Sequence, residues 1–251
     1  MLCCVVVLQF LTSCQSKIQP LKLSPETLPA VILWSWERPE NLEFLDSNKY
    51  GVAFLAQTLI LQNETIVFRP RRQPLKVNAK TKLIAVTRIE SAKVRSAVSA
   101  LSVEQQTKIV EFVLKTLEMT NVAAIQVDFD ATISERDFYQ NLLIELKQKL
   151  PPGVPLSITA LASFCIGDRW LSDLPIDEAV PMIFRMGADN AKIKGFLANG
   201  NDFAEPLCQL SYGIATDEPL QMNFRLNRRL YVFNERAWRE SDLERLPPEF
   251  R

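Results

Sequence analysis

Two aspartates spaced two residues apart, Asp128 and Asp130 in "IQVDFDAT", are the chain's clearest chemical signal. With Gln126 they take every second position between Ile125, Val127 and Phe129. A strand shows alternate side chains to opposite faces, so one face of this segment is apolar and the other polar and acidic. A buried carboxylate is costly unless something pairs with it, so the polar face has to look at water, a partner or a substrate. Carboxylates placed in this way act as general acids, general bases or nucleophiles.

Other apolar runs end in groups that would accompany such a pair. Arg88 and Glu90 share a parity at the end of one run, Arg185 ends a second, and Glu235 ends a third. An Arg beside the aspartates would hold them charged, whereas an apolar wall would raise one of them and make it a general acid. Trp34, Trp36, Trp170 and Trp238 stand at or just beyond such ends, where flat rings stack on sugar faces; core packing is the competing reading. A structural ion-pair network with Arg88 or Arg185 is the competing reading for the aspartates.

Absences narrow the chemistry. There is no His, and none of the seven Gly forms a dinucleotide or P-loop cradle. Histidine-based catalysis and His-ligated metals therefore lack support. A carboxylate-only Mg²⁺ or Ca²⁺ site at Asp128, Asp130 and Glu90 lacks an Asp-rich loop spacing, so neither metal nor cofactor is expected. Lys plus Arg equals 29 and Asp plus Glu equals 29, which offers a nucleic-acid backbone no net attraction.

The elements that must position these groups follow from periodicity. Eight strand-length apolar runs, at 30–36, 51–61, 82–90, 122–130, 155–164, 179–186, 207–215 and 229–235, are separated by polar or helical segments. Ser102 and Gln105 form a capping box before a helix whose Ile109, Val110, Val113 and Leu117 share a face. A second helix is expected from Ser134, with Phe138, Leu142, Leu146 and Leu150 in steps of four until "PPG" stops it. Shorter helices are expected in "GDRWLSDLPIDE" and "GADNAKIKGFLANG", and a loop in "TDEPLQMNFRLN". The segment after the second strand, "QNE" and then "TIVFRPR", reads as an inserted hairpin. The pattern predicts an α/β fold: a small, somewhat irregular (β/α)8 TIM-like barrel, with active-site groups at the C-terminal strand ends. The basic "RPRRQP" at 69–74 reads as a solvated hairpin end, or as a site for anionic headgroups or glycans.

The first residues read differently. Val5 to Leu11 is an apolar run too short to span a bilayer, and "LTSC" resembles a bacterial lipobox in which Cys14 becomes the lipidated first residue. Residues 1–14 are thus expected to be a lipoprotein signal peptide, 15–28 a tether and 29–251 a single barrel domain. Gln15 is not the Asp that retains such proteins on the inner membrane, which points to the outer membrane or the periplasmic face. Cys165 and Cys208 sit in apolar strand-like runs and are expected as two buried thiols rather than a disulfide.

The blocks "IQVDFDAT", "ERDFYQNLLIELKQKLP", "LSITALASFCIGDRWL" and "IDEAVPMIFRMG" resemble a bacterial family, domain-of-unknown-function family 3142, over most of the chain from about Pro29 onward. The resemblance implies a glycoside-hydrolase-like barrel. More distantly, the chain is similar to chitinase-like family 18 glycoside hydrolases, whose fourth strand carries D-x-D-x-E with the Glu as general acid. Asp128 and Asp130 match the two Asp, and Thr132 stands where the Glu would be. Threonine cannot protonate a leaving oxygen in that role.

The expected protein is a membrane-anchored envelope lipoprotein whose barrel mouth takes a glycan. If it cleaves the glycan, Asp130 is the acid/base, Asp128 its electrostatic modulator and Glu90 or Glu235 the second carboxylate. Arg88 and Arg185 would position the ligand, together with Gln126, Trp34, Trp36 and Trp170. The alternative is a non-catalytic glycan-binding or scaffold lipoprotein.

Overall fold

The computed structural model describes residues 28–92 and 98–251; the leader, Cys14 and the tether through residue 27 lie outside them. In chain order the strands are β1 (Val31–Ser35), β2 (Glu40–Asn41), β3 (Tyr50–Gln62), β4 (Thr65–Pro70), β5 (Leu75–Lys76), β6 (Leu83–Ser91), β7 (Val122–Asp128), β8 (Leu156–Leu161), β9 (Glu178–Met182), β10 (Ser211–Ala215) and β11 (Arg229–Phe233). The helices are α1 (Val103–Lys115), α2 (Arg136–Lys149), α3 (Ala162–Gly167) and α4 (Asn190–Ala198).

Eight strands pair in parallel in the order β1, β11, β10, β9, β8, β7, β6, β3, and β3 returns to β1. This closes a parallel barrel, as the periodicity predicts. The inserted hairpin is present as β3 and β4, paired antiparallel, and β2 and β5 form a separate two-stranded ribbon. Among the described residues, no helix is long and apolar enough to cross a membrane.

One parity of the strands fills the interior. Ile32, Trp34, Ala53, Leu55, Ile84, Val86, Ala124, Val180 and Tyr231 form the inner cluster, and the other parity packs under the helices and loops. Helix α1 starts at the expected capping box, with Ser102 and Gln105 exchanging side-chain and backbone hydrogen bonds. It buries Ile109, Val110 and Val113 against the barrel, each side chain contributing about 1.5–3 kcal/mol. The start of α2 departs from expectation. Thr132 caps a 3-10 turn, Ile133–Glu135, through a capping box with Glu135, and α2 follows at Arg136. The sequence carries the sign of this, a T-x-x-E at 132–135.

Several strands are shorter than their apolar runs, and two are cut short by windings. The 155–164 run stops at Leu161 because Ala162 opens α3. The 207–215 run begins pairing only at Ser211, since Glu205 caps Leu207 and Pro206–Leu210 winds as a 3-10 turn. These windings overturn the expectation of two free thiols. Cys165 on α3 and Cys208 on the 3-10 turn form a disulfide with a Cα–Cα distance of 5.8 Å. Neither cysteine lies on a barrel strand, and the turns at each strand end bring them together outside the barrel.

The N-terminal end of the barrel is plugged by charge. Glu178 accepts from Arg229 at 3.1 and 3.2 Å and from the Tyr231 hydroxyl at 2.8 Å, all buried. Higher up, Gly213 leaves room for an aromatic ring. A Cβ there would lie 2.8 Å from the Pro181 carbonyl oxygen and 3.1 Å from Cη2 of Trp34. Gly213→Ala is therefore expected to destabilise the fold by about 1–3 kcal/mol, read as a lowered urea midpoint with an unchanged slope. An unchanged midpoint would mean that the β9 backbone at Pro181 and the Trp34 ring both give way at little cost.

Candidate active site at the barrel mouth

Closing the barrel puts the C-terminal ends of β1, β6, β7, β8, β9 and β11 around one mouth. Asp128 ends β7 with its side chain inward, and only 7% of the residue is exposed. Its Oδ1 accepts from the Thr159 hydroxyl at 2.6 Å, and its Oδ2 lies 3.8 Å from Nη1 of Arg88. Burial pushes the Asp128 carboxyl up, and the neighbouring charges of Asp130 and Glu90 push the same way, opposed by the Thr159 hydrogen bond and by Arg88. Asp130, two residues on, is exposed and lines the same cleft of about 330 Å³ with Arg88, Glu90, Ser91 and Asp128. Arg88 is held to Glu90 at 2.8 Å, so one guanidinium serves two carboxylates.

Across the mouth, Arg185 pairs with Asp217 at 3.1 Å and with Glu235 at 3.9 Å. An aromatic floor joins the two groups. The Arg88 guanidinium lies 5.9 Å from the Trp36 ring, Trp36 meets Phe233 edge-on at 6.3 Å, and Arg185 lies 4.8 Å over Phe233. Phe184 stacks on Phe233 at 5.6 Å, and Trp34 packs beneath Phe184 at 6.1 Å. Such a floor, with a charged group at either end, suits a ligand that has apolar faces and polar edges.

Apart from Trp170 and Trp238, the residues singled out from the sequence fall into three places. Asp128, Asp130, Arg88, Glu90 and Trp36 come together at the β6 and β7 side, while Arg185 and Glu235 meet at the far side. Trp34 and Gln126 lie below the floor, fully inside the barrel. The Trp34 indole donates to Gln126 Oε1 at 2.9 Å, and Gln126 donates to Ser157 at 3.2 Å. Trp170 does not join the mouth: it packs among Phe164, Tyr139 and Arg136 beside α2 and α3.

Trp238 is buried, its indole donating to the Trp34 carbonyl at 2.9 Å. Sequence reasoning missed Thr159, Phe184 and Phe233. Thr159 was legible as the alternate position to Ile158 in its strand, but its meeting with Asp128 depends on strand order. Among the described residues, no group of three or more His, Cys, Asp or Glu side chains is placed to hold a metal ion.

Thr132, two residues beyond Asp130, is committed to a cap. Its hydroxyl and its amide donate to Glu135 Oε2 at 2.6 and 2.7 Å, and the other Glu135 oxygen accepts from Ser91. Glu135 is buried and bound under the rim of the cleft.

The Asp128 environment has a consequence for pH. An unfolded Asp titrates near about 3.9. Burial raises the folded value, so the folded state holds the extra proton between the two values and stability falls as pH rises through that window. Asp128→Asn keeps an acceptor for Thr159 and removes the titration. Its stability relative to the wild type is expected to climb from about pH 4 upward and level off above the folded value. Urea midpoints of both proteins across that range check this; a difference that does not vary with pH would contradict it.

A closed parallel barrel with carboxylates at its C-terminal mouth places the chain among the (β/α)8 barrels. No family model and no curated protein matches the chain. Among solved structures it is similar to a family GH18 chitinase from Chromobacterium violaceum, at 10% identity, covering 88% of this chain and 86% of that one with a TM-score of 0.50. It also matches the spore cortex-lytic enzyme SleL of Bacillus cereus at 17% identity, 75% of this chain and TM-score 0.47. The chitinase domain of the spore coat protein CotE from Clostridium difficile matches at 13% identity, 66% of this chain and TM-score 0.42. The chain spans about half of each of the last two, 50% and 52%. At these identities the likeness to the chitinase is one of fold.

Proposed function

We propose that the barrel mouth binds a glycan and hydrolyses it with the carboxylates at its strand ends. The observation that carries this reading is the gathering of three carboxyls in one cleft at the mouth, buried Asp128, exposed Asp130 and half-exposed Glu90. In this scheme Asp130 protonates the departing glycosidic oxygen, Asp128 modulates its charge, and Glu90, the second carboxylate, attacks the anomeric carbon or takes the proton from the water that does. Glu235 stands with Arg185 at the far end and holds the ligand. The chitinase-like barrel supports a glycan as the ligand class, and the aromatic floor supplies surfaces for sugar faces.

Thr132 favours a second reading, a glycan-binding barrel without turnover, because its side chain caps a turn where a chitinase-like acid would stand. Binding to a panel of neutral and acidic glycans, with release of reducing ends measured on every hit, separates the two. Release supports the hydrolase, binding alone supports the second reading, and no binding overturns both.

Membership of domain-of-unknown-function family 3142 and anchoring in a bacterial envelope through a lipid on Cys14 are parts of the same proposal. The disulfide Cys165–Cys208 supports export, since disulfides persist in oxidising compartments. Loss of the protein from the membrane fraction on Cys14→Ala is the expected result; retention would count against the anchor.

A further inference from the structure

The face of the sheet that carries Asp128 continues beyond the barrel. Strands β3 and β6 run on past the last β6–β7 pair, Arg88 with Asp128, and β3 then turns back as β4. The register sets Arg69 opposite Thr58, Thr58 opposite Arg88, and Arg88 opposite Asp128. Paired neighbours point to the same side of a sheet, so one row of side chains crosses β4, β3, β6 and β7 on the face of the mouth. The row above it is Val67, Ile60 and Glu90.

The opposite face is taken by α1, where Phe68 stacks on Phe112 at 4.7 Å. That contact fixes which way the hairpin faces. With strands about 4.8 Å apart, Arg69 starts about 10 Å from Arg88 and about 14 Å from Asp128.

The arginines along this wall differ in their commitments. Arg88 is tied to Glu90 and Arg185 to Asp217. Arg71 donates to the carbonyls of Arg38 at 2.7 Å and Gln73 at 3.0 Å, which pins the hairpin exit to the loop after β1. Arg69 and Arg72 flank it, both exposed, and among the described residues neither has an ion-pair or side-chain hydrogen-bond partner. They line one cleft of about 460 Å³ at the edge of the hairpin with Glu37, Phe68, Pro70 and Gln73, and Glu37 interacts with the charge of Arg71. Two uncommitted guanidinium forks lining one cleft on a pinned hairpin suit an oxyanion, since such forks bind carboxylate, sulfate or phosphate bidentately.

We propose that this wall is an anion subsite of the glycan site, and that the ligand is an acidic polysaccharide. Its chain runs from the mouth across Glu90, Ile60 and Val67, and its charged groups rest on Arg69 and Arg72. The inference rests on the glycan reading above and names the class of glycan.

The test measures binding of the whole chain to polygalacturonate, alginate and chondroitin sulfate, and to neutral laminarin and chitin oligosaccharides. Arg69→Gln/Arg72→Gln is compared with the charge-matched control Lys108→Gln/Lys192→Gln, whose lysines are exposed on α1 and α4. The wild type is expected to prefer an acidic polymer. The arginine pair is expected to weaken that binding roughly tenfold or more, with the control within about twofold of wild type and neutral binding unchanged.

If acidic polymers bind the arginine variant as they bind the wild type, the inference falls and the glycan reading stands. If no glycan of either kind binds, the glycan reading falls and takes the inference with it. Binding only to anionic phosphatidylglycerol vesicles, lost in the arginine variant, would overturn it in favour of a membrane contact.

Discussion

Asp130→Ala is expected to lower kcat for cleavage of the bound glycan by about 10²- to 10⁴-fold, the usual contribution of a positioned acid or base. The variant is clean because Asp130 is exposed and, among the described residues, makes no ion pair or side-chain hydrogen bond. Its removal leaves the β7 end, the Asp128–Thr159 hydrogen bond and the Arg88–Glu90 pair in place. Binding should stay within a few-fold, so the loss belongs in kcat rather than KM. Full activity in Asp130→Ala would remove it as the acid/base. Glu90→Gln and Glu235→Gln, measured alongside, test the assignment of Glu90 as the second carboxylate: Glu90 lines the Asp128 cleft and should lose turnover, whereas Glu235 stands across the aromatic floor with Arg185 and should lose binding.

The largest effect on stability is expected at the disulfide. Cys165 and Cys208 are 43 residues apart, and cross-linking a loop of that length restricts the unfolded chain by about 4 kcal/mol. Cys165→Ala/Cys208→Ala should therefore lose about 4 kcal/mol in urea unfolding, and reduction of the wild type should lower its midpoint in the same direction. The bond ties α3 to the 3-10 turn before β10, two short elements outside the barrel. A loss below about 1 kcal/mol would show that the packing of α3 against β8 and β9 suffices without it.

Much of the fold was legible locally, because strand alternation and helix capping act over a few residues. The eight runs became the eight barrel strands, and "QNE" followed by "TIVFRPR" became the hairpin of β3 and β4. Boundaries failed where a turn interrupted an apolar run, at Ala162 and at Pro206, since hydrophobicity alone does not distinguish a strand from a short winding. The same two failures hid the disulfide.

For the mouth, the sequence by itself determined that Gln126, Asp128 and Asp130 share one parity and that Arg88 and Glu90 share another. It could not order them by burial. Asp128 is enclosed by Thr159 from the next strand and by Arg88 from the previous one, whereas Asp130 lies past the last pairing and is open.

Phe184, just past β9, and Phe233, the last residue of β11, complete the floor beside Trp36, and they meet only because β10 and β1 order these strand ends around the mouth. The row from Arg69 to Asp128 likewise exists only through the registers of three strand pairs. Parity is a property of a single strand, set by its backbone. Which side chains meet across strands is decided by register and closure, and those are fixed by the tertiary structure.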